Sequence, residues 1–240
     1  MQTIFESSNK IGDIVKRLPK ASDLFKQNRI DFCCGGNRPL SEALQEKNID
    51  EGAFLNQLNQ LYEEMKNLNS SDRDWEQAPY GELIDHVVST HHAFLHQELP
   101  ELSGYVTKIL RVHGPNHSEL AQLHKLFHEL KMDMEQHMIK EEEVIFPLIK
   151  EYEKDHSEDK LNTIVTANRE LDEEHKASGN LLEQIRQVTN DFTLPEEACA
   201  TYTLTFKRLE ALESDMFQHI HLENNILFPR LENELTILVD

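Results

Sequence analysis

Two stretches of the sequence place a histidine and a glutamate four residues apart and then end in the same way. HMIKEEEVIFP runs from His137 to Pro147, and HIHLENNILFP runs from His219 to Pro229. Both read H-x-x-x-E-x-x-[VI]-[IL]-F-P, and residues four apart stack on one face of an α-helix. Imidazole and carboxylate side chains bind metal ions such as iron and manganese. Each copy is therefore a candidate pair of metal ligands.

Each copy is preceded by another histidine on an apolar helical stripe. His92 lies 45 residues before His137, and His175 lies 44 residues before His219. These matching intervals predict two helical hairpins that face each other, each with one His followed by one His-Glu pair. His91 is the alternative to His92, but the stripe formed by Val88, Leu95 and Leu99 favours His92.

The six side chains together predict a site for two metal ions. Glu141 and Glu223 lie on apolar stripes, where an ionised carboxylate is costly without a compensating positive charge. Mixed nitrogen and oxygen ligation fits iron first and manganese second, and fits structural zinc less well. We therefore expect a non-haem di-iron centre, bridged by the two carboxylates and by an oxo or hydroxo group. Its predicted ligands are His92, His137, Glu141, His175, His219 and Glu223.

The long periodic segments predict an all-α protein in two parts. Residues 1–66 contain short amphipathic segments and form a small helical domain. The polar stretch 67–79 is typical of a linker. Residues 80–240 contain four long helical segments with short connections, which predicts an up-down four-helix bundle.

Composition excludes several other classes of protein. The formal net charge of −20 disfavours binding to a nucleic-acid backbone. No run of 18 or more apolar residues predicts a membrane span, and the start of the chain does not resemble a secretory signal. Three cysteines, two of them adjacent, form no disulfide framework, so we expect a reduced, cytoplasmic setting.

The adjacent thiols of Cys33 and Cys34, within DFCCGG, are a second chemical feature. They could form a strained disulfide, be oxidised singly, or take part in the transfer of a metal or nitrosyl group. The alternative is a turn that ends a helix, with two small buried side chains. The two glycines permit positive φ and the close approach of another surface. Cys199, near a helix start, is more often structural.

Taken together, the motifs IDFCCGG, ELPEL, VHGPNH, HMIKEEEVIFP, PEEAC and HIHLENNILFP resemble the ScdA type of the di-iron proteins that repair iron–sulfur clusters. The resemblance covers nearly the whole chain and implies a hemerythrin-like bundle after the DFCCGG domain. It implies that the same six residues bind iron and that Glu141 and Glu223 bridge the two ions. It also implies a cytoplasmic, often dimeric stress protein that acts on clusters damaged by nitric oxide or peroxide, with damaged or apo cluster proteins as partners.

The sequence departs from the oxygen-carrying hemerythrins at two positions. Gly179 stands where those proteins have a second histidine on the third helix, and His219-x-x-x-Glu223 replaces their H-x-x-x-x-D. We therefore expect more open and more labile irons and no reversible oxygen carriage. The favoured hypothesis is that the site supplies iron for cluster repair. Two alternatives stay open: reduction of nitric oxide or peroxide at the site with Cys33 and Cys34 supplying electrons, and a redox or nitric oxide sensor that is not an enzyme.

Overall fold

The computed structural model describes residues 4–67 and 73–239. Within these residues the regular secondary structure is helical, with one isolated bridge between Lys10 and Pro39, and the predicted all-α class is confirmed. The predicted linker 67–79 falls partly on residues 68–72, which lie outside the described residues. None of the helices described is long and apolar enough to cross a membrane.

Four helices make up the amino-terminal part of the chain. They are α1 (Ile11–Arg17), α2 (Ala21–Gln27), α3 (Leu40–Glu46) and α4 (Glu51–Asn67). Helix α4 begins after Asp50, whose Oδ1 accepts the backbone N–H of Ala53 at 2.7 Å, the usual hydrogen bond of an N-cap aspartate.

Four long helical stretches follow, and three of them contain a π-helical turn. The first is α5 (Tyr80–His86) and α6 (Ala93–His113), joined by the turn Val87–His92. The second is α7 (Glu119–Lys140) and α8 (Phe146–Asp155), joined by the turn Glu141–Ile145. The third is the uninterrupted α9 (Glu158–Val188). The fourth is α10 (Ala200–Leu222) and α11 (Phe228–Val239), joined by the turn Glu223–Leu227.

Proline explains two of the π-helical turns. Pro147 and Pro229 each follow a phenylalanine at the end of the repeated motif, and neither can donate to the carbonyl four residues earlier. The missing hydrogen bond favours a local change of helical register, and π-helical turns are frequent at functional sites. The shared F-P ending therefore accounts for a turn that starts at Glu141 in one copy and at Glu223 in the other.

The chain divides into two compact units, Met1–Ala78 with Ile220–Asp240, and Pro79–His219. In the first unit the rings of Phe25 and Phe54 stack at 5.8 Å, and Phe32 lies 6.4 Å from Phe25. Arg230 of α11 donates to the backbone carbonyls of Trp75 at 2.9 Å and Ala78 at 2.8 Å. The predicted domain boundaries stay a prediction.

In the second unit an apolar core runs along α6, α7, α9 and α10, with Leu99, Leu130, Leu182 and Leu212 among its buried members. Two partly buried ion pairs connect α10 to its neighbours. Arg208 donates to both carboxylate oxygens of Glu98 on α6, at 2.6 and 2.7 Å. Arg186 of α9 donates to Glu213 of α10 at 2.8 Å. Paired donors and acceptors of this kind fix the rotation of a helix about its axis.

Candidate metal centre

The structure brings together all six residues that the sequence singled out as metal ligands. They form two groups, His92, Glu141, His219 and Glu223, and His137, Glu141, His175 and Glu223. Within each group the possible ligand atoms all lie within 4.8 Å of one another. Both groups include Glu141 and Glu223, as expected for two carboxylates that bridge two metal positions.

Three of the imidazoles approach the carboxylate of Glu141. The Nε2 atoms of His92 and His137 each lie 3.3 Å from its Oε2, and that of His219 lies 3.9 Å away. Neighbouring rings also approach through Nε2, at 3.1 Å for His92 and His219 and 3.0 Å for His175 and His137. The Nε2 atoms therefore all face the same small volume.

Two further glutamates contact the Nδ1 atoms of His92 and His137, on the side of each ring away from the predicted metal positions. His92 Nδ1 lies 2.7 Å from Glu142 Oε1, and His137 Nδ1 lies 2.8 Å from Glu174 Oε2. An ionised carboxylate only accepts, so each Nδ1 carries the proton and each Nε2 keeps its lone pair for a metal. The hydrogen bond with His137, together with the neighbouring Lys140, lowers the pKa of Glu174 to about 2.

These observations test whether a metal fits. The side chains of Glu141 and Glu223 are fully buried, and so are those of His92, His175 and His219. Buried carboxylates need positive charge, and neutral imidazoles aimed through Nε2 are metal ligands rather than counter-ions. The donor set therefore fits metal ions. The assignment of each residue as a ligand stays a prediction.

The remaining histidines of this region support the site or lie outside it. His91 is not in either group; its Nδ1 lies 2.9 Å from Asp215 Oδ1, and its ring stacks on that of His219 at 5.7 Å. His96 is exposed, and its Nε2 lies 3.4 Å from Glu142. Cys199 is exposed, with Sγ 3.2 Å from His113 Nε2.

Cys33 and Cys34 lie in a short turn between α2 and α3, and residues 31–36 are called the thiol loop below. The carboxylate of Asp31 accepts the backbone N–H groups of Cys33, Cys34 and Gly35, at 3.0, 3.1 and 2.9 Å. Cys33 is buried and Cys34 is half-buried, and their Sγ atoms lie 3.6 Å apart without a disulfide. The pKa of the Cys33 thiol is raised well above its usual value, mainly because the thiol is buried. Cys34 and Asp31 raise this pKa further.

The two glycines of the thiol loop serve one of the two purposes that the sequence allows. No glycine of the described residues has a positive φ, so the loop does not use the left-handed conformation that glycine permits. The expected close approach is present, because a Cβ atom on Gly36 would lie 2.5 Å from Asn225 Oδ1 and 2.7 Å from the Phe32 carbonyl.

Sequence reasoning missed three side chains that this geometry makes important. Glu142 and Glu174 each neighbour a predicted ligand in sequence, but each bonds a histidine on another helix. Asn225 follows Glu223 by two residues, and only the three-dimensional structure shows what it contacts. Adjacency to a ligand was the single available signal for all three.

Comparison with known families matches both parts of the chain. A model described as the hemerythrin HHE cation binding domain covers residues 83–231, which defines the class of the bundle. A second model, ScdA_N, described as a domain of unknown function (DUF542), covers residues 7–62 and includes the thiol loop.

Relatives align over almost their entire length. The iron-sulfur cluster repair protein ScdA of Staphylococcus haemolyticus is 36% identical over 91% of this chain and 95% of its own. The protein of that name from Staphylococcus epidermidis is 35% identical over 92% and 96%. The iron-sulfur cluster repair protein YtfE of Escherichia coli is 35% identical over 92% and 94%. The chain belongs to this family, and the predicted resemblance is confirmed.

Proposed function

We propose that the protein holds two iron ions in the buried His/Glu site and uses them to repair iron–sulfur clusters damaged by nitrosative or oxidative stress. The main observation behind this proposal is that two groups of four possible ligands share Glu141 and Glu223. The relatives are known as iron-sulfur cluster repair proteins, which supports cluster repair as the function. Manganese is the second candidate metal, because it accepts the same mixture of nitrogen and oxygen ligands.

The chain's own residues would divide the work of holding the metals. His92 and His219 would hold one ion, His137 and His175 the other, and the two shared carboxylates would lie between them. Glu142 and Glu174 would keep the Nδ1 protons of His92 and His137 in place, so that both lone pairs stay directed at the metals. A bound iron pair would supply iron as cargo for an apo or damaged cluster protein.

The ligand set favours release over permanent storage. Six side chains would serve two ions and two of the six are shared, so each ion would contact four protein groups. Iron in carboxylate and imidazole sites prefers more ligands than that, and solvent must complete the set. The absence of a histidine at Gly179 in the sequence is consistent with this.

Iron transfer can be tested directly. Protein loaded anaerobically with ferrous iron would be mixed with a hydratase whose cluster has been damaged by nitric oxide, with sulfide and dithiothreitol in every sample. We expect recovered hydratase activity and an equal loss of iron from the protein. Glu141→Gln should recover little activity, while Glu143→Gln is the matched control, because Glu143 lies two residues away and is exposed.

Two other results would change the proposal. Equal repair by Glu141→Gln and wild type would remove the His/Glu site from the function. Iron that stays bound while nitric oxide is consumed over many turnovers would support the reductase instead. A homodimer, a cytoplasmic location and damaged or apo iron–sulfur proteins as partners remain predictions.

A further inference from the structure

The side chain of Asn225 lies at the junction between the thiol loop and the helical turn that begins with Glu223. Its Nδ2 lies 3.2 Å from the carbonyl oxygen of Phe32, 3.0 Å from that of Cys33 and 3.2 Å from His221 Nδ1. An amide nitrogen has two hydrogens, so these three acceptors share two donors. Asn225 is 6% exposed, and all these groups lie in one compact unit.

Two glycines make room for this side chain. A Cβ atom on Gly12, in α1, would lie 2.4 Å from Asn225 Oδ1, and a Cβ atom on Gly36 would lie 2.5 Å from it. The backbone N–H of Gly12 donates to the carbonyl of Gly36 at 2.8 Å, so α1 and the thiol loop hold each other at the same point. The amide of Asn225 therefore fills a tight space between α1 and the loop.

The backbone that carries Asn225 is also the backbone that carries Glu223. Both belong to the π-helical turn Glu223–Leu227, and Pro229 cannot donate to the Asn225 carbonyl. His221, two residues before Glu223, is buried as well, and its ring meets that of Phe32 edge-on at 5.8 Å. The ligand candidate Glu223 is thus flanked on both sides by residues that touch the thiol loop.

We propose that Asn225 is a positioning residue that couples the thiol loop to the metal centre through Glu223. This inference rests on the proposed metal site. When a metal holds Glu223, the π-helical turn is restrained and Asn225 keeps the loop closed over the buried Cys33. When the metal leaves, the turn gains freedom and the loop opens more often. The thiol becomes available when the iron has been delivered.

Linkage makes the coupling reciprocal. Suppose that metal binding lowers the equilibrium constant for opening of the thiol loop by some factor. A modification of Cys33 that requires the open loop then lowers the affinity for the metal by the same factor. Typical couplings of this kind correspond to 5- to 150-fold changes, so we expect at least about a fivefold effect in each direction. Modification of Cys33 would therefore weaken the binding of iron.

The experiment uses Cys33 as the reporter of loop opening. The full-length Cys34→Ser/Cys199→Ser protein contains Cys33 as its one thiol. Its alkylation by iodoacetamide would be followed by mass spectrometry under nitrogen, at one fixed pH, without metal and after loading with ferrous iron. Iron content and helical circular dichroism would be measured for every sample. We expect iron to slow alkylation at least about fivefold, since a buried thiol reacts only after local opening.

Two variants break the coupling in different ways, each with a matched control. Asn225→Leu keeps a side chain of similar size but lacks the amide donors, and Asn162→Leu makes the same change where the amide only bonds its own helix at Glu158. Gly12→Ala displaces the Asn225 amide without altering α10 or α11, and Gly104→Ala adds a methyl group in open space. We expect faster alkylation of the metal-free protein and an iron effect close to onefold in Asn225→Leu and Gly12→Ala only.

The outcomes separate this inference from the proposed function. Iron that binds and protects Cys33 equally in wild type, Asn225→Leu and Gly12→Ala would overturn the coupling and leave the metal site intact. Direct binding of iron to the thiol loop would give that same result. A wild-type protein that binds no iron would overturn both proposals. If one variant fails to fold, the other still decides, because the two changes lie on different helices.

Discussion

The two copies of the H-x-x-x-E motif contain equivalent ligand candidates but have different surroundings. In the first copy, Ile139 and Glu143 occupy the positions two residues after the histidine and two residues after the glutamate, and both are exposed. In the second copy the corresponding residues are His221 and Asn225, and both are buried. One copy therefore faces solvent on the side where the other contacts the thiol loop.

This difference separates two kinds of requirement. The ligand candidates and the F-P ending are equivalent in both copies, and in each copy a π-helical turn begins at the glutamate. The flanking residues are not equivalent, because the residues of the second copy contact the thiol loop and those of the first copy are exposed to solvent. The ligand candidates are thus equivalent in the two copies, while the residues around them differ. Each of these two statements can be tested separately.

The largest expected effect tests the equivalence of the ligands. Glu141→Gln and Glu223→Gln should each lower iron affinity by more than about 100-fold, beyond the 10- to 100-fold typical for a residue behind a ligand. Each carboxylate belongs to both groups, so both metal positions should be weakened together. Iron titration under nitrogen with elemental analysis measures this. Loss of a single ion in either variant would show that the carboxylates are not shared.

A smaller loss is expected when the support behind the histidines is removed. Glu142→Ala and Glu174→Ala should lower iron affinity about 10- to 100-fold, because His92 and His137 would lose the acceptors of their Nδ1 protons. Glu143→Ala, which removes the exposed neighbour of Glu142, is the control and should match wild type. Competition against a metal-binding dye gives the affinities. A control that loses as much as Glu142→Ala would mean that net charge alone sets affinity.

The six ligand candidates could be predicted because each lies on a local stripe whose period the sequence displays. His92 and His175 required only the helical face and the matching interval to the next motif. Glu142 could not be predicted in the same way. Glu142 follows Glu141 in the π-helical turn Glu141–Ile145, but it bonds His92 in the turn Val87–His92. Its role therefore depends on how these two helical stretches are rotated against each other.

Asn225 shows a stronger limit. Asn224 and Asn225 are identical in type and adjacent in sequence, and a regular helical period through Glu223 does not distinguish them. The π-helical turn changes the direction of every side chain after Glu223. The sequence shows the proline that favours this turn, but it does not show the direction in which the later side chains point. The contact with residues 31–36 adds a separation of about 190 residues, which no local pattern encodes.

The asymmetry of the support should appear in the stability of the metal-free protein. Asn225→Ala should lower the free energy of unfolding by about 1–3 kcal/mol, because the buried carbonyl of Cys33 loses a donor. Glu143→Ala, the equivalent change in the first copy, should stay within about 0.5 kcal/mol, as is usual for exposed positions. Urea denaturation followed by circular dichroism measures both values. Equal losses in the two variants would remove the distinction between the copies.

The smallest effect concerns the two thiols that the second copy helps to hold. Burial raises the pKa of Cys33, so at pH 8 it stays a thiol, while Cys34 is half-buried and reachable by reagent. Thiolates are the reactive species, and each unit of pKa costs about tenfold in thiolate. Cys33 in the Cys34→Ser/Cys199→Ser protein should therefore react with iodoacetamide at least about tenfold more slowly than Cys34 in the Cys33→Ser/Cys199→Ser protein. Its rate should keep rising above the pH range in which an ordinary cysteine ionises, since thiolate forms only as pH approaches the raised pKa. Equal rates at pH 8, measured by mass spectrometry, would mean that the thiol loop is open in solution and that the second copy does not protect it.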